Sequence, residues 1–349
     1  MITQILTPTD ESIKLAADLL RSGQLVAFPT ETVYGLGANA LDSAAVLGIF
    51  KAKGRPADNP LIVHIHDRAQ LEGICHVPEA ARKLMDAFWP GPLTLIMPRK
   101  PAVPDAVTAG LETVAVRMPS HPMAARMLET CELPIAAPSA NRSGRPSPTT
   151  AKHVLDDMDG RIPLILDGGD CDVGLESTVV DMSGERACIL RPGGVTRAML
   201  EAVIGEVDVA GSVLRPLRPD ETALSPGMRY KHYAPSGQVT LVEGDEADVV
   251  AALALLHRKA VQSGRTSCVM CFTEHTAALR DCQPHDIGSH DDPAEVAHRL
   301  FDILRRLDDE GMDAIFSEVM PPEGVGLAVM NRLGRAAGFR SVQAREVLS

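Results

Sequence analysis

The stretch Leu25-Val26-Ala27-Phe28-Pro29-Thr30-Glu31-Thr32 runs four apolar residues into a polar turn. A short apolar run closed by proline reads as a buried strand whose carboxyl end opens into a loop. Asp42 is placed to cap a helix over 43–53, with Val46, Leu47, Ile49 and Phe50 on one side. A strand over 61–66 and a helix over 79–89 follow, the helix closed by Pro90-Gly91-Pro92. Further strands are predicted over 93–97, 113–118, 135–137, 164–166, 178–181 and 187–190, and helices over 121–129 and 149–158. This mixture predicts an α/β fold with a sheet covered on at least one face.

From 204 to 237 the pattern fails, and Pro216, Pro219, Pro226 and Pro235 interrupt it. The segment reads as an interdomain linker. It gathers two of the three tyrosines and two cations beside a histidine in Ser225-Pro226-Gly227-Met228-Arg229-Tyr230-Lys231-His232-Tyr233-Ala234-Pro235. A loop of this length is often functional, although packing of its aromatics on one domain would explain the same residues. After 237, strands over 239–242, 267–271 and 314–317 alternate with helices over 248–262, 293–307 and 327–337. They predict a smaller, doubly wound, Rossmann-like domain. The acidic Glu243-Gly244-Asp245-Glu246 stands where a dinucleotide site would need glycines. The expected organisation is therefore 1–204, a linker over 205–237, and 238–349.

Composition narrows the function. The net charge is −12; residues 1–200 hold 19 basic and 23 acidic side chains, and the remainder 15 and 23. No basic stripe dominates either part, so strong direct nucleic-acid binding is not expected. No apolar run is long enough for a bilayer, and the first ten residues carry no secretory pattern. Seven scattered cysteines suggest free thiols in a reducing, cytoplasmic compartment.

The chemistry concentrates in two places. Lys51, Lys53 and Arg55 crowd five positions before Gly54 and Pro56 break the helix. Some eighty residues on, Ser139, Asn141, Arg142, Ser143 and Arg145 follow an apolar run. Fixed positive charge, short donors and approachable backbone are what a polyphosphate needs, although no P-loop is present. A cation or hydroxyl recurs after several strands, at Thr32, Arg55, Arg117, Ser139 and Arg191. That recurrence points to an anion-binding cleft. Ser177 is either a binding hydroxyl or a strand cap. His64-Ile65-His66 sends two imidazoles to one strand face, but a third metal ligand is not evident. The lone Cys268-Val269-Met270-Cys271 reads as buried small hydrophobes. No nucleophile signature appears.

Several ordered motifs resemble the YrdC-type family. They are Pro29-Thr30-Glu31-Thr32-Val33-Tyr34-Gly35-Leu36-Gly37, Lys53-Gly54-Arg55, Asn59-Pro60-Leu61-Ile62-Val63-His64, Ser139-Ala140-Asn141, Ser177-Thr178-Val179-Val180-Asp181 and Leu190-Arg191-Pro192-Gly193. With the linker and second domain, the whole chain resembles long, two-domain L-threonylcarbamoyladenylate synthases. The resemblance implies a twisted open mixed sheet, a lid from the linker, and a reaction. L-threonine, bicarbonate or carbon dioxide, and ATP with Mg²⁺ give threonylcarbamoyl-adenylate and pyrophosphate. The product passes to the tRNA-modifying threonylcarbamoyl transferase machinery. By the family pattern, Lys53, Arg55, Asn59, Thr113, Ser139, Asn141, Ser147, Arg191 and His232 would contact ATP. Thr32, His64, Arg117, the Ala137 backbone and Ser177 would contact threonine, with His232 or Tyr233 closing over the nucleotide. No metal is expected to be held by protein alone. A non-catalytic RNA-binding module and a carbamoyl-transfer enzyme are the competing readings. The scarcity of stacking aromatics counts against the first, and missing zinc-finger and acylphosphatase-like regions against the second.

Overall fold

The computed structural model describes residues 2–217 and 233–349. The described residues divide into two compact units. The first comprises 2–143, 147–213 and 217; the second comprises 144–146, 214–216 and 233–349. The first unit runs β1 (Gln4–Leu6), α1 (Asp10–Arg21), β2 (Val26–Phe28), β3 (Gly35–Asn39), α2 (Ser43–Lys53), β4 (Ile62–His64), α3 (Leu71–Ile74), α4 (Glu79–Phe88), β5 (Leu93–Pro98) and α5 (Asp105–Thr108). It continues through β6 (Thr113–Arg117), α6 (Pro122–Cys131), β7 (Ile135–Ala136), α7 (Ala151–Met158), β8 (Leu164–Leu166), β9 (Thr178–Asp181), β10 (Cys188–Arg191), α8 (Arg197–Ile204) and β11 (Asp208–Val209).

Eleven strands form one mixed sheet in the order β1-β8-β2-β3-β7-β4-β6-β5-β9-β10-β11. The chain past 204 does not leave this sheet at once, because β11 pairs in parallel with β10. Period-2 alternation splits the strand side chains between two faces. Leu36, Ala38, Val63, Leu95, Val114, Val116, Val180 and Ile189 pack under α2, α4, α7 and α8 in the main core. On the opposite face, α1 and α6 cover Val26, Phe28, Ile135 and Leu164. The same face continues beyond them as a small apolar floor of Ile62, Ile96, Ala115, Val179 and Leu190. That floor carries the polar groups described below.

The second unit is an all-parallel five-stranded sheet, ordered β14-β13-β15-β12-β16. Its elements are β12 (Gln238–Glu243), α9 (Glu246–Gln262), β13 (Ser267–Cys271), β14 (Pro284–Asp286), α10 (Pro293–Asp309), β15 (Ala314–Ser317), α11 (Gly326–Ala336), β16 (Ser341–Gln343) and α12 (Ala344–Leu348). Cys268 and Cys271 are buried, free thiols, and Cys271 packs with Val269 and Phe316. Tyr233 is buried in this unit, its ring 5.0 Å from that of Phe301. His232 and the rest of the tyrosine-rich motif before Tyr233 lie outside the described residues. Among the described residues no helix is long and apolar enough to cross a membrane.

Candidate active site

Strand register decides which polar side chains meet. His64 lies opposite Arg117 on the neighbouring parallel strand, and Ile62 opposite Ala115. Arg117 in turn faces Thr94 across the antiparallel β5–β6 pair. Residues directly opposite each other project to the same face. His64, Arg117 and Thr94 therefore rise from the floor that Ile62, Ala115 and Ile96 form. Thr113, four residues before Arg117 on β6, shares the face at the other end. Ser177 precedes β9 by one residue, and its hydroxyl meets that of Thr94 at 2.7 Å.

Arg191 reaches this face through a fault in the ladder. Val180 pairs with Ile189, but Val179 pairs with Arg191. The bulge places both Leu190 and Arg191 on the floor side, where regular alternation would send Arg191 under the helices with Ile189. Bulges re-aim side chains in this way. The Arg191 guanidinium then donates to the Ser177 carbonyl at 3.1 Å and to its hydroxyl at 3.2 Å. Ser147 donates to Glu176, so Ser147, Ser177 and Arg191 gather around the head of β9.

A second group surrounds Arg117. Its Nη1 donates to the Thr32 hydroxyl at 2.8 Å and its Nε to the Gly91 carbonyl at 3.3 Å. Nη2 stands 2.7 Å from Glu31 Oε1, with both side chains under a tenth exposed. The contact is a close ion pair set off the hydrogen-bond axis. Burial alone would raise the Glu31 carboxyl, yet the Arg117 charge and hydrogen bond, together with hydrogen bonds from the Glu31 and Ser120 backbone, hold the group below the usual range. His64 donates Nδ1–H to the Ile62 carbonyl at 3.2 Å. Complete burial, with Arg117 nearby, pushes its pKa down to about 3. The ring is neutral, and Nε2 keeps a free lone pair.

The third group is the cationic turn. Asp42 caps α2 by accepting from the Ala44 and Ala45 amides. Gly54 ends the helix at φ 62°, left-handed backbone that a side chain would strain. This abrupt stop aims Lys53 inward. Its Nζ donates to the Ser139 carbonyl and, at 2.6 Å, to the Asn141 carbonyl. Ser139 donates to Asn141 Oδ1 at 2.5 Å. Arg55 Nη2 reaches the Asn59 carbonyl at 3.4 Å, and its guanidinium lies over the Phe50 ring. Ala137 donates its amide to the Ile62 carbonyl, which ties the segment ahead of Ser139 to β4.

Register also orders these groups along the floor. Because β7 runs antiparallel to β4, Ser139 and Asn141 emerge near the amino end of β4, beside Asn59. His64 and Arg117 stand at the carboxyl ends of β4 and β6. One end thus carries Lys53, Arg55, Asn59, Ser139 and Asn141, with Thr113 on that side. The other carries His64, Arg117 and Thr32. Glu31, Thr94 and Glu176 were not singled out from sequence. Glu31 stood inside a quoted motif, and Thr94 was recoverable from the alternation of 93–97. Among the described residues no three His, Cys, Asp or Glu side chains come together to hold a metal.

An eleven-stranded mixed sheet with helices on both faces, and with His64, Arg117, Thr94 and Ser177 beside a small apolar floor, defines a class found elsewhere. The family model described as Telomere recombination, for Sua5, YciO and YrdC proteins, matches residues 18–193. That described as Threonylcarbamoyl-AMP synthase, C-terminal domain, matches residues 195–338. A threonylcarbamoyl-AMP synthase of Pyrococcus abyssi is 48% identical over 332 residues, covering 95% of each chain. One of Bacillus subtilis is 47% identical over 344 residues, covering 98% of this chain and 97% of its own. The solved structure of P. abyssi Sua5 complexed with L-threonine superposes with a TM-score of 0.92 at 46% identity, covering 98% of this chain and 99% of that one. The chain belongs to the threonylcarbamoyl-AMP synthase family, in its two-domain form.

Proposed function

We propose that this protein condenses L-threonine, bicarbonate or carbon dioxide, and ATP into L-threonylcarbamoyladenylate, releasing pyrophosphate. The supporting observation is the division of one apolar floor into a cationic end and an amino-acid-sized end, in a chain whose relatives carry that activity in their names. Threonine lies over the floor with its carboxylate on Arg117, whose planar fork suits it. Thr32, His64, the Ala137 backbone and Ser177 complete its surroundings. The triphosphate lies toward Arg55, Asn59, Thr113, Ser139 and Asn141, with Ser147 and Arg191 at the head of β9. Lys53 acts first as a strut for the Ser139–Asn141 loop and lends its charge to the phosphates.

The reaction needs no protein nucleophile. The neutral threonine amine adds to carbon dioxide with release of a proton, or to bicarbonate with loss of water, to form a carbamate. A carbamate oxygen then attacks the α-phosphorus of ATP as pyrophosphate departs. The protein contributes alignment and fixed positive charge, and Mg²⁺ enters with the ATP phosphates as part of that substrate. His232 or Tyr233 would close over the nucleotide and exclude water. The adenylate is then handed to a tRNA-modifying transferase, in a cytoplasmic setting that suits seven free thiols. Incubation with ATP, threonine and bicarbonate, followed by mass spectrometry, tests the reading. Adenylate and pyrophosphate are expected in equal amounts, with neither formed when threonine is omitted. Pyrophosphate release independent of threonine would sink it.

A further inference from the structure

The sheet of the second unit takes no part in the reading above, and its connections make a crevice of their own. β12 runs through α9 to β13, passing β15, while β15 runs through α11 to β16, passing β12 in the opposite direction. Right-handed crossovers that travel in opposite directions put their helices on opposite faces of a sheet. The neighbouring strands β12 and β15 therefore send the chain apart at their carboxyl ends, where open parallel sheets hold ligands. A cavity of about 620 Å³ lies there, a size that suits a small molecule. Its walls are the end of β12, residues 319–322 after β15, and α11 with the chain that leaves it.

These walls are firmly held. Glu318 anchors the 319–322 loop by meeting the Phe272 amide and the His275 ring, each at 2.6 Å. Gly326 lies so close to this loop that a Cβ would stand 2.4 Å from the Pro321 carbonyl oxygen. Phe339, on the opposite wall, has left-handed backbone at φ 60°, which a bulky residue adopts only under constraint. Its amide donates to the Gly334 carbonyl at 2.6 Å, and the Arg335 guanidinium lies 5.9 Å from its ring centre. Backbone held in this way clusters at ligand sites.

The lining says what fits. Leu241, Met320, Pro322, Met330 and Phe339 make the cavity apolar, and methionine sulfur favours an aromatic guest. Glu243 is the one charged side chain among the lining residues. Gln343 donates to one of its oxygens at 3.0 Å and so fixes the carboxylate. No lysine, arginine or histidine lines the cavity, and Arg345, two residues past Gln343, is spent on Asp245 and Asp248. A phosphate or carboxylate would meet Glu243 as a like charge. An ammonium group on a flat apolar body meets an opposite charge and apolar walls.

We propose that the second unit binds a small amine with an apolar, aromatic-sized body, seated at the β12–β15 switch point with its ammonium group on Glu243.

Carbon–proton NMR of the full chain, labelled at its methionine methyls, tests the assignment. The probes are phenethylamine, phenethyl alcohol and phenylacetate, which share one body and differ in charge. The amine should saturably shift the methyls of Met320 and Met330, and leave that of Met127 in the first unit's core unmoved. The alcohol should bind roughly threefold or more weakly, as for loss of a partly exposed ion pair, and phenylacetate more weakly still. Glu243→Gln should erase the advantage of the amine while keeping the affinity for the alcohol. Ser341→Trp, at an exposed position on the cavity wall, should block all three probes. Absence of a saturable shift at Met320 and Met330 would overturn the proposal, as would an amine no tighter than phenylacetate. An advantage that survives Glu243→Gln, or binding undiminished in Ser341→Trp, would do the same. None of these outcomes depends on the threonine reading.

Discussion

Arg117 and Arg55 illustrate two ways in which a buried arginine matters. Arg117 compensates Glu31, so Arg117→Ala leaves a carboxylate enclosed without its cation. Breaking one side of a buried pair typically costs roughly 3–5 kcal/mol. The urea midpoint of this variant should fall accordingly, and Glu31→Gln combined with Arg117→Ala should recover part of the loss. Arg55 donates to the Asn59 carbonyl and lies over the Phe50 ring. Arg55→Ala should keep the fold and lose pyrophosphate release about a hundredfold or more, as when a charge-stabilising donor is removed. Unchanged turnover would take Arg55 out of the site. Both arginines were legible in the sequence as cations at the ends of elements. Glu31 was not, because a carboxylate in a loop motif gives no sign of which cation it will face.

At the scale of elements, the head of β9 is the tightest point. A Cβ on Gly193 would stand 2.5 Å from the Thr178 amide nitrogen and 2.7 Å from the Glu176 carbonyl oxygen. Gly193→Ala must therefore push the backbone carrying Ser177. A stability loss of about 1–3 kcal/mol is expected from such overpacking, together with a raised KM for threonine. An unchanged KM would show that Ser177 tolerates the shift. In the second unit, His275 bridges Glu318 at 2.6 Å and Glu246 at 2.9 Å. Burial opposes its charge, but the two carboxylates outweigh burial and raise its pKa. A raised folded pKa gives stability that is complete below the unfolded value, near 6.5, and fades as pH rises through the folded value. The difference in denaturation midpoint between wild type and His275→Gln should therefore be largest in mild acid and shrink toward alkaline pH. A difference that grows with pH would contradict the bridge.

For the whole molecule, the first unit holds its own core of strands and flanking helices. Some two hundred residues are enough to stabilise such a core. A fragment of residues 1–213 keeps β11 on its sheet and should unfold cooperatively by itself. Its adenylate formation should be impaired for want of His232 and the segment around it. Full activity in the fragment would show that the remaining chain is dispensable for the chemistry.

The sequence by itself determined the alternation of elements, the buried strands and the residue types of the site. Apolar periodicity and capping are local properties, and so is a motif such as Lys53-Gly54-Arg55. It did not reveal β1 or β3, where apolar signals are short or interrupted by glycine; α1 differs, since its Thr9 cap and its buried Ile13, Ala16, Ala17 and Leu20 carry a full amphipathic signal. It also left open which strands become neighbours. The order that sets β7 beside β4, and β9 beside β5, joins segments far apart in the chain. Only the folded sheet decided that Ser139 and Asn141 emerge toward the amino end of β4, that Glu31 meets Arg117, and that a bulge turns Arg191 onto the floor side. Those outcomes depend on long-range register, which no local pattern encodes.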